Sequence, residues 1–287
     1  MVSGRPGILN LRVNSRRDSA GLVRAALGAL AKPLFLRAEL LDDVKTAVSE
    51  ACNNAVDHAY RGQSGAIAVG VDVGLDSVEV SVRDWGGGFQ QLAPDGERLR
   101  VGLPLINALA DRAEFLTAPG SGTEVRMGFD IRHDQRRDGL LAHLEESDDL
   151  EAWTPWRRGL AGDVVVTLLP DDLLAAVLEP VTSALTARSR FSLERFSDVF
   201  LVMREISAFV EWAASSERVS FALSAGSQQL ELTIGPLRAG AINELHGMGE
   251  SVMLNLADEV ACETLEHSEL LRVVVANHQH DRSATTD

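Results

Sequence analysis

The chain has 287 residues, with 27 basic and 42 acidic side chains and a formal net charge of −15 at pH 7. That length suits two domains, and 45% hydrophobic with 24% charged residues is globular composition, which excludes disorder over the whole chain. A surface this acidic repels phosphate backbones and anionic membranes, so it argues against general nucleic-acid binding and leaves basic proteins or small ligands as partners.

The opening MVSGRPGILNLRV lacks the apolar core and cleavage site of a signal peptide. No run reaches 18 apolar residues. Only Cys52 and Cys262 occur, too few for a disulfide framework or a zinc cluster. The expectation is a soluble, cytoplasmic protein. Residues 8–13 alternate like a strand, 19–31 read as a helix, and 37–60 form the most regular helical pattern in the chain. On that helix Leu41, Val44, Val48, Ala55 and Ala59 share one face, with Glu50, Asn54 and Asp57 opposite. Strand patterns follow at 66–73 and 77–82, the second running into Arg83-Asp84-Trp85-Gly86-Gly87-Gly88-Phe89. After a polar loop of about a dozen residues come a helix at 103–110 and strands at 113–117 and 124–129. This order predicts an α+β fold, a two-layer sandwich with helices on one face of a largely antiparallel sheet.

The pattern breaks between 132 and 162, where the acidic run Glu145-Glu146-Ser147-Asp148-Asp149 precedes Trp153 and Trp156. This segment reads as a charged linker, or as a docking segment presenting its two tryptophans. Beyond it the plan repeats: strand 164–169, helices 172–187 and 193–214, strands 219–223 and 229–234, helix 251–258 and strand 270–275. Matching Glu50 with Glu205 gives 205 − 50 = 155, Asp84 with Pro236 gives 236 − 84 = 152, and Asp111 with Asp258 gives 258 − 111 = 147. The offset falls slowly while the order holds, the reading of an internal duplication. The expected division is 6–131, linker 132–162, 163–278, and a disordered tail 279–287.

Three features of the first half bear chemistry. In Ser49-Glu50-Ala51-Cys52-Asn53-Asn54-Ala55-Val56-Asp57-His58-Ala59-Tyr60, Glu50 and Asn54 lie one helical turn apart. A carboxylate beside an amide oxygen suits a Mg²⁺–triphosphate site, since magnesium takes few protein ligands, although a solvated helix face would look the same. In Asp84-x-Gly86-x-Gly88 the glycines let the backbone approach a flat ligand, and the carboxylate is an acceptor for an exocyclic amine. Val101-Gly102-Leu103-Pro104-Leu105 opens a helix whose N-terminal amides favour phosphate, and Gly120-Ser121-Gly122-Thr123 precedes the last strand.

Taken together in this order, SEACNNAVDHAY, RDWGGGF, VGLPLINALAD and GSGTEV resemble the N, G1, G2 and G3 elements of GHKL-type (Bergerat-fold) ATP-binding domains. Within that superfamily they are most similar to the bacterial anti-sigma factor serine/threonine kinases. The resemblance implies ATP and Mg²⁺ as cofactors, with Glu50 as the general base and Asn54 as the magnesium ligand. It assigns Asp84 to the adenine amino group, Gly86 and Gly88 to the base pocket, Gly102 to the phosphate loop and Thr123 to a hydroxyl near the adenine. Arg100 stands where the family usually has a glycine, and there it could close on the phosphates or crowd the lid. The implied function is phosphorylation of a STAS-domain antagonist together with binding of a sigma factor; the alternative is a non-catalytic, nucleotide-gated module that sequesters the sigma factor. The implied assembly is a homodimer or an internal pseudo-dimer. In the second half the magnesium asparagine maps to Phe209, the adenine aspartate to Pro236, and Gly86 and Gly88 to Arg238 and Gly240. The expectation there is a degenerate copy that keeps the packing and has lost the ligand.

Overall fold

The structure, a computed structural model, describes residues 7–34, 36–60, 63–74, 76–87, 102–118, 121–131, 160–169, 173–189, 191–247, 251–265 and 267–277. Arg100, Gly88, the acidic run and both tryptophans of the 132–162 segment, and the C-terminal tail lie outside the described residues.

A side-chain period of two builds the first sheet segment. Strand β1 (Leu9–Asn14) buries Leu9, Leu11 and Val13, and β2 (Ala66–Val73) buries Ile67, Val69, Val71 and Val73. In β3 (Ser77–Asp84) the inward row is Val78, Val80, Val82 and then Asp84. The strand runs two residues further than its apolar pattern, and the alternation carries a carboxylate onto the core face. Strands β4 (Arg112–Ala118) and β5 (Gly122–Asp130) complete this segment. Against it lie α1 (Ser19–Ala29), α2 (Ala38–Asn54) and α3 (Gly102–Leu109), with α1 packed on α2 and α2 on α3. Helix α2 buries Leu40, Leu41, Val44, Ala47, Val48, Ala51 and Cys52.

The long helix expected to reach Tyr60 changes character after Asn54: Ala55–Ala59 form one π-helical turn. There the ladder spacing widens from four residues to five, so the 3.6-residue phase slips. Glu50 and Asn54 stay half-buried on α2, whereas Asp57 and His58 beyond the slip are exposed. Asp57 therefore does not continue the Glu50–Asn54 face.

The second half contains β6 (Val164–Leu168), α4 (Leu173–Thr186), α5 (Leu193–Ala213), β7 (Val219–Ala225), β8 (Gln229–Arg238), α6 (Ala241–Gly247), α7 (Val252–Leu256), β9 (Glu259–Thr264) and β10 (Ser268–Ala276). Sequence periodicity missed α6 and β9. Helix α6 has seven residues, too short for its buried Ala241, Ile242 and Leu245 to set up a sustained period, and the edge strand β9 buries no side chain.

The ten strands among the described residues form one antiparallel sheet, in the order β4-β5-β3-β2-β1-β6-β7-β8-β10-β9. The order reads equivalently from either end, with the β1–β6 pair at the centre. Leu11 faces Val166 there. Either side of that pair the bonds are reciprocal: Asn14 N–H donates to the Asp163 carbonyl (3.3 Å) and Leu169 N–H to the Ile8 carbonyl (2.9 Å). The β2–β3 and β7–β8 hairpins close alike, Gly74 N–H on the Ser77 carbonyl and Gly226 N–H on the Gln229 carbonyl, both at 2.8 Å. The repeated Leu-Ala-Asp also has a shared role. Asp111 accepts from Asp130 N–H at 2.7 Å, and Asp258 accepts from Ala276 N–H at 2.6 Å, each fixing the end of its half's last strand. The main apolar cluster runs through both halves, and a small second one, Leu160, Val165, Ala222 and Leu270, lies on the other face of the sheet in the second half.

Candidate functional site

The site is assembled where β3 ends, against the π-helical turn. Asp84 is 5% exposed. Its Oδ1 accepts from Gly86 N–H at 2.9 Å and from Thr123 N–H at 3.3 Å, so one oxygen takes both bonds and Oδ2 takes neither. Burial pushes the Asp84 carboxyl above the usual carboxylate range; the bonds from Gly86 and Thr123 and the nearby Arg83 guanidinium pull the other way. A buried acceptor that is costly to ionise is suited to a donor brought in by a ligand.

Two glycines make this arrangement possible. A Cβ on Gly86 would stand 2.3 Å from the Ala59 carbonyl oxygen, and one on Gly122 would stand 2.1 Å from the Asp84 carbonyl oxygen. Gly122 also has φ +80°, in the left-handed region. The loop after Asp84 is further tied to the π-helical turn by Gly87 N–H donating to the Ala59 carbonyl (3.2 Å). Trp85 in this loop is 49% exposed, with the Arg83 guanidinium 5.3 Å from its ring centroid.

Glu50 and Asn54 sit one turn apart on the last stretch of α2, both half-buried, and the π-helical turn joins Asn54 directly to the Asp84 loop. Gly102 opens α3. Asp84, Gly86 and Thr123 are thus brought into direct contact, and Glu50 and Asn54 lie on the helix that leads to them. Thr123 reaches Asp84 through its backbone N–H. Sequence reasoning gave no role to Tyr60, Gly65 or Gly122. The signal present was the chain's sole tyrosine closing the N-box stretch, with glycine five residues on. Among the described residues no group of three or more His, Cys, Asp or Glu side chains could hold a metal ion. A divalent cation at Asn54 would therefore draw on ligand oxygens. A buried carboxylate whose Oδ2 takes neither of these backbone bonds is an acceptor that suits a ligand donor such as the adenine amino group.

The profile of the histidine kinase-like ATPase domain matches residues 13–129. A serine-protein kinase RsbW of Bacillus pumilus is 32% identical over 141 residues, 42% of this chain and 83% of that protein. The RsbW of Halalkalibacterium halodurans is 31% identical over 159 residues, covering 50% and 96%. The chain belongs to the anti-sigma factor serine/threonine kinase family of histidine-kinase-like ATPases. An anti-sigma F factor of Caldanaerobacter subterraneus subsp. tengcongensis is 28% identical over 130 residues, 42% of this chain and 91% of that one. The RsbU and RsbW domains of a Mycobacterium tuberculosis protein superpose with a TM-score of 0.34 at 23% identity, over 44% of this chain and 34% of that one.

In the second half, Phe209, Glu205 and Arg238, which the sequence pattern sets opposite residues of the first half, are engaged within the chain itself. Phe209 is 7% exposed and lies 5.9 Å, ring to ring, from Trp212, over which the Arg238 guanidinium stacks at 4.2 Å. Glu205 accepts from Met253 N–H in the first turn of α7. Glu269, 6% exposed, accepts from Gly240 N–H (2.7 Å) and Ile242 N–H (3.3 Å) where α6 begins. Backbone amides that would face an anion in a nucleotide site are satisfied here by side-chain carboxylates.

Proposed function

We propose that the protein is an ATP-dependent protein serine/threonine kinase that acts as an anti-sigma regulator, phosphorylating a STAS-domain antagonist and binding a sigma factor. The observation that carries this reading is the buried Asp84 carboxylate, fixed by Gly86 and Thr123 at the end of the helix bearing Glu50 and Asn54. In this reading Asp84 accepts a hydrogen bond from the adenine amino group, while Gly86, by letting the loop close on Ala59, and Gly88 shape the pocket around the base. The Asn54 amide oxygen holds the magnesium ion, and Gly102 with Arg100 meets the phosphates. Glu50 orients the incoming hydroxyl of the substrate protein and takes its proton. Bound Mg-ATP supplies the phosphoryl group and the metal's charge stabilisation, so the protein's share is positioning and proton removal.

The remainder of the chain, in this account, is a duplicated and degenerate domain at 163–278, joined to the ATP-binding domain at 6–131 by a linker. Its pairing through β1 and β6 forms an internal pseudo-dimer in place of a homodimer: the reciprocal bonds around Leu11 and Val166 have the isologous form of a two-fold interface. The net charge of −15 suits a basic sigma-factor surface. A second reading, a nucleotide-gated module that sequesters the sigma factor without chemistry, is favoured by Arg100 standing in place of the family's glycine. Incubation with γ-labelled ATP and the host's STAS proteins separates the two. The kinase reading expects label on a serine or threonine of one STAS protein; tight ATP binding with no label on any would leave the binding module.

A further inference from the structure

Tyr60 links three backbone segments near Asp84: the π-helical turn, the start of β2 and the loop that follows Asp84. It is half-buried against the main core. Its hydroxyl donates to the Ala66 carbonyl at the start of β2 (2.5 Å) and accepts from Trp85 N–H (2.9 Å), immediately after Asp84. Both capacities of the phenol are used. The ring occupies space that exists only because residue 65 lacks a side chain, for a Cβ on Gly65 would stand 1.9 Å from a ring carbon. Together with the bond from Gly87 N–H to Ala59, this gives the Asp84–Gly87 loop two ties to residues 59–60. The same loop supplies the Gly86 N–H that holds Asp84 Oδ1. Only five residues of backbone, the π-helical turn, separate Tyr60 from Asn54.

We infer that Tyr60 is a positioning residue of the nucleotide site: its hydroxyl sets the aim of the Asp84 carboxylate relative to the helix carrying Asn54 and Glu50, and thereby sets base selectivity. Tyr60 itself need not touch the nucleotide. The inference rests on the reading of Asp84 as the adenine acceptor. It differs from a packing role in what it predicts, because a residue that only supports the fold would change the fraction of competent protein and leave the ratio of affinities for two nucleotides untouched.

The test is Tyr60→Phe in the full chain, which keeps the ring and removes the hydroxyl, with Gly65→Ala as a second variant that displaces the ring from the other side. Isothermal titration with Mg-ATP and Mg-GTP gives two dissociation constants per protein, and circular dichroism melts report the fold. Tyr60→Phe is expected to weaken ATP roughly three- to ten-fold, the range set by one to two hydrogen bonds, with GTP changed less, so that the ATP-to-GTP preference falls by a similar factor. Gly65→Ala should shift the preference in the same direction. An unchanged preference in a folded Tyr60→Phe protein that binds ATP would overturn the positioning role alone. Failure of the unmodified protein to bind ATP would overturn the nucleotide-site reading, and this inference with it.

Discussion

Asp84 concentrates the chemistry of the site in one side chain. It is the fourth inward position of a strand whose other three are valines, and the fold pays for burying it with two backbone donors. Its pKa is raised in the folded state, chiefly by burial. A raised carboxyl contributes stability below the ordinary carboxylate range and loses that contribution as pH rises through the folded value. Where Asp84 is ionised, its burial therefore works against the stability of the fold. Asp84→Asn retains an oxygen for Gly86 and Thr123 while removing the charge. The variant's apo melting temperature at pH 7 should be no lower than that of the unmodified protein, and its ATP affinity should fall about tenfold or more, the loss of a charge-assisted bond. In the unmodified protein ATP affinity should weaken on acidification from neutrality towards the carboxylate range, and this dependence should be absent in the variant. Calorimetry across that pH range reads both. Cys52 is fully enclosed, and burial pushes its thiol up to about 12, with Arg24 opposing only in part.

At the level of elements, the strands and the major helices were legible because a half-buried sheet and an amphipathic helix write their periods into the chain. Asp84 and Glu50 were legible as residue types in a spaced pattern. The π-helical turn at Ala55–Ala59 was not, since its residues continue an ordinary helical pattern and the extra residue per turn is a property of the backbone ladder. The fit of Tyr60 over Gly65 and of Gly122 under Asp84 was equally hidden, because each depends on an approach between segments that no local pattern encodes. These approaches are tight enough to test. Gly122→Ala meets both a left-handed φ and the Asp84 carbonyl, so it should destabilise by about 1–3 kcal/mol and reduce ATP binding. Gly87→Ala, where a Cβ meets nothing within 4 Å, should change the urea midpoint little. Equal loss in the two variants would contradict the tight-approach account.

At the scale of the molecule, the described strands of both halves share one sheet. The β1–β6 ladder is reciprocal, but the ion pairs beside it are not: Arg16 meets Asp163 at 3.5 Å, and Arg188 meets Asp18 at 2.8 Å while also donating to the Asp18 carbonyl. Residues of each half thus complement the other half and not themselves. The two glutamates that the sequence pattern sets opposite each other also differ, for Glu50 stands half-buried on α2, whereas Glu205 is engaged by the backbone of α7. Phosphoryl transfer is proposed to belong to the first half alone. Its most direct measurement compares Glu50→Gln and Glu205→Gln in label transfer from γ-labelled ATP to the STAS substrate, with ATP stoichiometry measured alongside. The prediction is one ATP per chain in each protein, transfer abolished by Glu50→Gln and preserved by Glu205→Gln. Undiminished transfer in Glu50→Gln, or two nucleotides per chain, would contradict it.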